Sequence, residues 1–297
     1  MKKILKWLLI GALALTILGG SIFFVGFAMS GFKVNALSMT KYEMKCFEER
    51  EENLLSSIKI DYEFADVAVI FDETATSVTV EYPQKQKKNG ENISVVAVTE
   101  TENSLIISER EKFYFWDWIG SFTPTLTVKL PAARTYDLAL EVDHGDVALR
   151  GKGNVNALSL DIDYGDVSLQ RTEIVCQNTL RIQTEHGDIE MGNVQAEKLY
   201  LSSEYGDLEC ENARLQAKEV YIEMEHGDVD IDFLQADKAV FEMEHGDIEA
   251  CLYGDKADYT VQVEIEYGDT NIRSVAGGSK LLQIFVEHGD VEIDFKR

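Results

Sequence analysis

The pair Gly-Asp recurs eight times in the second half of the chain, and this repeat constrains the fold more than any other feature. Neighbouring copies lie 19 to 22 residues apart, with glycines at Gly145, Gly165, Gly187, Gly206, Gly227, Gly246, Gly268 and Gly289. This spacing is too short for helix-pair repeats or propeller blades, and it matches one coil of a solenoid built from short strands. We therefore predict eight coils, called rungs below, and number positions in each rung from the residue before its glycine, position 0.

Each rung alternates apolar and polar residues with a period of two, which indicates β-strands with one buried face. Positions −2, −4 and −6 are mainly apolar, and position 0 shares their parity, so we expect it to face inward. Position 0 is always an aromatic ring, namely His144, Tyr164, His186, Tyr205, His226, His245, Tyr267 and His288. Position −1 is always acidic and should point outward, as Asp143, Asp163, Glu185, Glu204, Glu225, Glu244, Glu266 and Glu287. Positions +3 and +5 return mostly to apolar residues, so the fold class is predicted as all-β.

The domain boundaries follow from these patterns. Residues 138–297 form the predicted Gly-Asp repeat β-solenoid, and residues 58–137 a β-rich N-terminal part that caps it, beginning with a degenerate repeat at Phe64–Val67. Residues 33–57 are predicted as a juxtamembrane linker that is helical in part. The sequence predicts a single domain.

Three segments near the ends of this domain carry further expectations. The polar stretch Gln84–Asn92 is predicted as a hairpin tip, and the aromatic run Phe113–Ile119 as a plug over the end rung. At the other end, Val291–Phe295 is followed only by Lys296 and Arg297, so strand addition or end-to-end association is an alternative to the expected monomer.

The N-terminal segment predicts a membrane anchor. After three lysines in the first six residues, no charged residue occurs from Trp7 to Phe32, a length sufficient for one transmembrane helix. Residues 1–32 are thus expected to be a cytoplasmic basic tip and a single-pass anchor in the cell membrane, with the β domain extracytoplasmic. A cleaved signal peptide is the alternative, with Ala28–Ser30 as its cleavage-like site.

Composition and motifs exclude several function classes. The net charge is −25, and residues 138–297 alone contain 13 basic and 35 acidic residues, a net charge of −22. A field of this sign repels phosphates, so we expect no nucleic-acid partner. The four cysteines lack CxxC spacing, and we predict no disulfide, with Cys210 on the inward phase. No nucleophile elbow, P-loop or HExxH motif occurs, so the chain is predicted not to be an enzyme.

The aspartates at position +2 are the candidate metal ligands. Stacked carboxylates and turn carbonyls are oxygen ligands that suit calcium, the one cofactor considered. Aspartates in turns also accept hydrogen bonds from backbone amides without any metal, and this reading is preferred. The column comprises Asp146, Asp166, Asp188, Asp207, Asp228, Asp247, Asp269 and Asp290.

The His/Tyr column has two readings as well. Three tyrosines interrupt the histidines, and only His226 and His245 fall on consecutive rungs, so ring packing is preferred over a metal ladder. Charging of the imidazoles at mildly acidic pH is a further hypothesis, because it would relieve repulsion between the acidic columns.

The order of a span, Ile-x-Ile strands, an aromatic insert, Leu130-Pro131 and then repeated Gly-Asp-Val resembles the bacterial β-strand-repeat family of putative adhesins, a domain of unknown function. The resemblance covers residues 58–297 and implies a β-solenoid and few mechanistic details. The chain differs from the family pattern at position 0, where His or Tyr replaces the usual small residue. Some relatives belong to envelope-stress systems of Gram-positive bacteria.

The sequence therefore predicts a non-enzymatic, membrane-anchored cell-surface repeat protein, an adhesin or envelope-binding scaffold with an acidic surface. Its expected partners are a ligand in the cell envelope or on another surface, and divalent or polycationic ligands. The alternative is a cation- or pH-responsive envelope-stress sensor that binds calcium or cationic peptides.

Overall fold

The computed structural model describes residues 40–50, 54–87, 89–92, 95–110 and 125–296. The predicted transmembrane segment and the predicted aromatic plug at Phe113–Ile119 lie outside these ranges. Within them, no helix is both long and apolar enough to cross a membrane.

The described chain consists of strands and one short 3-10 turn, which confirms the all-β prediction. The turn spans Lys256–Asp258. The strands are β1 Thr40–Glu48, β2 Ser57–Phe64, β3 Val67–Asp72, β4 Thr79–Lys87, β5 Val95–Glu100, β6 Ser104–Arg110, β7 Leu126–Pro131, β8 Thr135–His144, β9 Val147–Tyr164, β10 Val167–Cys176, β11 Thr179–His186, β12 Ile189–Glu190, β13 Asn193–Tyr205, β14 Leu208–Cys210, β15 Leu215–His226, β16 Val229–His245, β17 Ile248–Tyr253, β18 Tyr259–Tyr267, β19 Lys280–His288 and β20 Val291–Lys296.

Successive rungs pair in parallel and in register, so the chain forms a stack of β coils. Between β15 and β16, for example, Leu215 lies opposite Leu234 and His226 opposite His245. Equivalent pairs join β11 to β13 and β13 to β15. Hydrogen bonds between neighbouring strands therefore run along the stack, and side chains at one position of the repeat form columns.

The apolar columns form the core, as the period-two pattern predicts. Val220, Ile222 and Met224 are all buried, and so are the position +3 residues such as Val229 and Ile248. Two polar side chains, Thr184 and Ser203, occupy the same inward column at position −2.

Three of the four cysteines, Cys176, Cys210 and Cys251, are buried, whereas Cys46 is exposed. Burial raises the pKa of the Cys210 thiol to about 12, so this group remains a protonated, apolar packing element at neutral pH. Cys210 thus faces inward, as its phase in the repeat predicts.

At the N-terminal end, chain order and stack order differ. Strand β2 lies between β6 and β8, and β3 lies between β7 and β9. The rung formed by β2 and β3 is therefore not the end of the stack, because β6 and β7 lie on its outer side. The predicted degenerate repeat is confirmed, because Phe64 pairs with His144 and the Asp66 carboxylate accepts a hydrogen bond from the Asp146 backbone N–H.

At the C-terminal end, the predicted order of rungs is wrong. Strand β19 pairs with β16 on one side and with β18 on the other, and β20 pairs with β17. The last rung in sequence is thus inserted between the two that precede it, and β18 is the outer strand. Strand β18 is therefore an outer edge of the stack, and β20, which pairs with β17 and meets Thr270 in an isolated bridge at Val291, also lacks a second neighbouring strand among the described residues.

Two further features concern the N-terminal part of the chain. The predicted linker was expected to be helical in part, but its described residues contain strand β1. The described residues fall into two compact units: 40–43, 85–87 and 89–92 belong to one, and 44–50, 54–84, 95–110 and 125–296 belong to the other. In the first unit, the predicted polar hairpin tip is present, with Gln86 bridged antiparallel to Asn92.

Candidate functional site

The Gly-Asp corner of each rung is built around a glycine that no other residue replaces easily. The eight glycines have φ between 133° and 154°. A Cβ atom on Gly206 would lie 2.1 Å from the carbonyl oxygen of Gly187 on the neighbouring rung. The repeat therefore needs glycine for both backbone conformation and close approach between rungs.

The aspartates of position +2 form a continuous hydrogen-bonded ladder along the stack. In each rung the backbone N–H of the aspartate donates to Oδ1 of the aspartate on the adjacent rung, at 2.7 to 3.1 Å. The ladder begins at Asp66 and, because of the inserted rung, runs from Asp247 to Asp290 and ends at Asp269. Seven of the eight predicted carboxylates thus act as inter-rung caps, in place of the local turn caps of the preferred reading, and Asp269 at the end of the ladder takes part only through its backbone N–H.

The calcium reading gains no geometric support from this ladder, and it stays a prediction. Among the described residues, no group of three or more His, Cys, Asp or Glu side chains is arranged to hold a metal ion. The ladder gives every carboxylate except that of Asp269 a backbone donor, which offsets part of the repulsion between stacked charges.

The position 0 rings stack in one unbroken column along the corner. Consecutive ring centroids are 4.7 to 5.0 Å apart, with interplanar angles of 2° to 24°. The expectation that the rings face inward is wrong, since His144, Tyr164 and Tyr205 are exposed. Because the chain turns at the glycine directly after position 0, the ring there leaves the inward face of the strand. The faces of the rings contact each other, and their edges contact solvent. Their packing gives about 0.5–1.5 kcal/mol per pair beyond area burial.

The inserted rung places three imidazoles in succession, an arrangement that sequence order conceals. His245 stacks on His226 at 4.8 Å and on His288 at 4.8 Å, with interplanar angles of 3° and 2°. The Nδ1 atom of His226 is buried and has no hydrogen-bond partner among the described residues.

An acidic groove of about 540 Å³ lies on the outer face of β15, β16, β19 and β18. Its lining includes seven glutamates and no basic residue. Phe285, which is 36% exposed, interrupts one of the two glutamate columns. The glutamates are Glu223, Glu225, Glu242, Glu244, Glu264, Glu266 and Glu287.

Neighbouring carboxylates about 4.8 Å apart repel by about 0.9 kcal/mol in water and about 3.5 kcal/mol at an effective dielectric constant of 20. The groove therefore favours a cationic ligand that also presents an apolar surface to Phe285. Sequence reasoning identified the acidic column of position −1 but missed the groove, because Phe285 and Glu287 reach it only through the inserted rung.

A second feature that sequence reasoning missed is a buried ion pair. Glu49, which sequence patterns placed in a linker, accepts hydrogen bonds from the backbone N–H groups of Leu55 and Val78 and from the Arg134 guanidinium, at 2.7 to 3.0 Å. Its side chain is only 2% exposed. This pair ties the chain before β2 to the stack and is structural.

The comparisons with known proteins are consistent with this architecture. The model of the Toastrack DUF4097 family matches residues 55–294. No curated protein matches the chain. Solved structures similar to it include putative adhesins from Bacteroides fragilis NCTC 9343 and Parabacteroides distasonis ATCC 8503, with 15% and 12% identity. Each comparison covers 85% of this chain and 97% of the other, with a TM-score of 0.48.

A third similar structure is that of a putative lipid binding protein from Parabacteroides distasonis ATCC 8503, with 14% identity, 86% coverage of this chain, 97% coverage of the other and a TM-score of 0.44. Because these structural likenesses are weak, the assignment is based on the family match, which spans the rungs and most of the preceding strands. The chain belongs to the Toastrack DUF4097 family, which confirms the family resemblance seen in its Gly-Asp repeats.

Proposed function

We propose that this chain is a non-enzymatic, extracytoplasmic β-solenoid, anchored to the membrane by its N-terminal segment, that binds a cationic partner in the cell envelope or on another surface. The acidic groove is the observation that carries the proposal. Seven glutamates converge there without a basic residue in the lining, and Phe285 adds apolar surface. An adhesin-like role requires only such a rigid, repeated surface.

The repeated chemistry of the corner supports a scaffold over an enzyme. Asp and His recur together in most rungs, yet each Asp caps the neighbouring rung and each ring stacks on its neighbours. A catalytic site is normally unique, whereas these groups serve the same structural purpose in every rung.

The proposal is tested by titrating full-length protein, held in a mild detergent, with fluorescent octalysine. Replacing three groove residues, Glu223→Gln, Glu225→Gln and Glu244→Gln, should weaken binding about tenfold or more, since groove charges dominate the attraction. The matched control carries the same charge change outside the groove, as Asp161→Asn, Glu185→Gln and Glu204→Gln. Equal losses in both triple variants would contradict the assignment to the groove.

A cation- or pH-responsive sensor is the second candidate, and the three-imidazole run favours its pH-responsive form. Imidazole changes charge between pH 5 and 8 more readily than other side chains, and here three such rings lie beside columns of glutamates. His226→Gln should reduce any difference between the melting temperatures at pH 5 and pH 7.5. Equal melting temperatures of the unchanged protein at the two pH values would reject this candidate.

Calcium is tested separately by thermal unfolding with calcium and with chelator at matched ionic strength. A ligand that binds only the folded state stabilises it by RT ln(1 + [L]/Kd). We expect no calcium-specific shift, because the ladder already gives every aspartate carboxylate except that of Asp269 a backbone donor. A rise of several degrees, on the order of 1 kcal/mol or more, would favour the cation-responsive candidate.

A further inference from the structure

Strand β18 ends the stack with part of its backbone unpaired. On its outer side, Val261 pairs with Val275 through two hydrogen bonds, and Val263 bonds to the Ser274 hydroxyl. Backbone directions alternate along a strand, so Ile265 presents its N–H and C=O to the same side. Neither group has a partner in the described parts of the chain. The edge is thus covered over its first half and open at Ile265, whereas the Tyr267 carbonyl accepts a hydrogen bond from the Gly289 N–H on the neighbouring rung.

The apolar column is also incomplete at this edge. Val263 and Ile265 are partly exposed, whereas Ile284 and Val286, their partners on β19, are buried. Tyr267 ends the ring stack, with His288 against one face at 4.8 Å, and is 65% exposed. One more strand would cover both the side chains and the free ring face.

The aspartate ladder also lacks its next member beyond β18 in the described part of the chain. Every other aspartate of the ladder accepts the backbone N–H of the next rung, as Asp290 accepts that of Asp269. The Asp269 carboxylate has no such donor among the described residues. It is therefore a free acceptor at the open edge.

The charges beside this edge identify the chemistry of its occupant. Glu264 and Glu266 alternate with the apolar residues of β18 and line the acidic groove. An added strand would place alternate side chains next to these glutamates and the others next to Val263 and Ile265. A second copy of β18 in antiparallel register would instead bring glutamates opposite glutamates, which is destabilising.

We infer that the open edge of β18 at Ile265 is a strand-addition site for an extended segment of a partner protein in which lysine or arginine alternates with apolar residues. This inference rests on the proposed function and names its partner class. Main-chain hydrogen bonds supply affinity, and the glutamates select basic side chains, as in other cases of strand addition.

The test uses a fluorescent peptide of four Lys-Val repeats and full-length protein in mild detergent. Reversal of the edge charges, Glu264→Lys with Glu266→Lys, should weaken binding about tenfold or more because basic side chains would then oppose one another. The matched control, Glu185→Lys with Glu204→Lys, changes the net charge equally on inner rungs and should leave most of the affinity. Equal losses in both double variants would overturn the inference.

Backbone methylation separates strand addition from charge attraction alone. Only alternate residues of an added strand turn their N–H groups to the edge, so N-methylation of either the lysines or the valines should abolish binding, and methylation of the other set should not. Bound peptide should also slow hydrogen exchange at the Ile265 amide. Equal binding of both methylated peptides would overturn the inference.

The outcomes distinguish this inference from the proposed function. If octalysine binding depends on the groove but the edge substitutions leave Lys-Val peptide binding unchanged, the proposed function stands and the strand-addition site is wrong. If no cationic probe binds, both fail. Sedimentation that shows a dimer lost in the Glu264→Lys/Glu266→Lys variant would assign the edge to a second copy and contradict the partner named here.

Discussion

Substitution of alanine for Gly206 tests the close approach of the rungs. The Cβ atom of alanine would lie 2.1 Å from the Gly187 carbonyl oxygen, so the two rungs must separate by more than 1 Å to reach an ordinary contact of about 3.4 Å. Two hydrogen bonds connect the rungs at this point. The Gly187 N–H donates to the Tyr205 carbonyl, and the Asp207 N–H donates to the Asp188 carboxylate, both at 2.9 Å.

The structure supplies a control with the same backbone conformation and no steric conflict. Gly277 has φ +130°, close to the +145° of Gly206, but nothing lies within 4 Å of a Cβ atom placed there. Alanine at either site carries the strain of positive φ, about 1–3 kcal/mol. Only Gly206→Ala also disrupts the neutral and the charge-assisted hydrogen bond, together about 2–4 kcal/mol.

Urea unfolding of both variants, monitored by circular dichroism, measures this difference. We expect Gly206→Ala to lower the free energy of unfolding by about 2–4 kcal/mol more than Gly277→Ala. Equal losses would mean that the glycines are needed for φ alone. That result would refute the argument from close packing of the rungs.

Three further predictions concern buried or partly buried polar groups. The Ser203 hydroxyl is buried and lacks a hydrogen-bond partner among the described residues. Ser203→Ala should therefore raise the free energy of unfolding in urea by about 1 kcal/mol, while Ser202→Ala should have little effect. A lower free energy of unfolding for Ser203→Ala would contradict this prediction. Arg134→Gln leaves the buried Glu49 carboxylate without its cationic partner and should lower the free energy of unfolding by about 3–5 kcal/mol in the same measurement. A decrease below about 1 kcal/mol would show that the protein does not need this ion pair for stability. Burial first, and neighbouring acidic side chains second, raise the pKa of Asp143 above 3.8. Its ionisation therefore opposes folding. The penalty begins as pH rises through the unfolded-state pKa near 3.8 and is complete above the raised folded-state pKa, so Asp143→Asn should raise the melting temperature at pH 7 and leave it unchanged well below pH 3.8. A lower melting temperature of this variant at pH 7 would contradict the prediction.

The parts of the fold that depend on local pattern could be predicted from the sequence. The period of two predicted which residues are buried, and the spacing of the glycines predicted the bounds of the rungs. Both predictions were possible because each rung repeats the same steric and hydrogen-bonding requirements. The exposure of the rings was not predictable from parity. The chain bends at the glycine directly after position 0, and the ring there leaves the inward face.

The order of the last rungs could not be predicted for a different reason. The rungs of Tyr267 and His288 have the same alternation and the same Gly-Asp corner, so either could pair with the rung of His245. The two rungs are distinguished by long-range pairing, such as the bridge between Val275 and Val261. Such pairing cannot be recognised from the local sequence. The groove, the three-imidazole run and the open edge all depend on this order. Glu49 was likewise missed because its partner Arg134 is 85 residues away.

Cysteine cross-linking tests the inserted rung most directly. Glu242 lies opposite Phe285 in register, and Phe285 lies opposite Glu264, so Glu242 and Glu264 are two rungs apart. Adjacent strands are about 4.8 Å apart, within reach of a disulfide, and two rungs are about 9.6 Å apart, beyond it. In a chain with Cys46→Ser, Glu242→Cys with Phe285→Cys should oxidise readily to a disulfide, and Glu242→Cys with Glu264→Cys should not. The opposite result would mean that the rungs stack in sequence order, and it would contradict the groove and the open edge at β18 together.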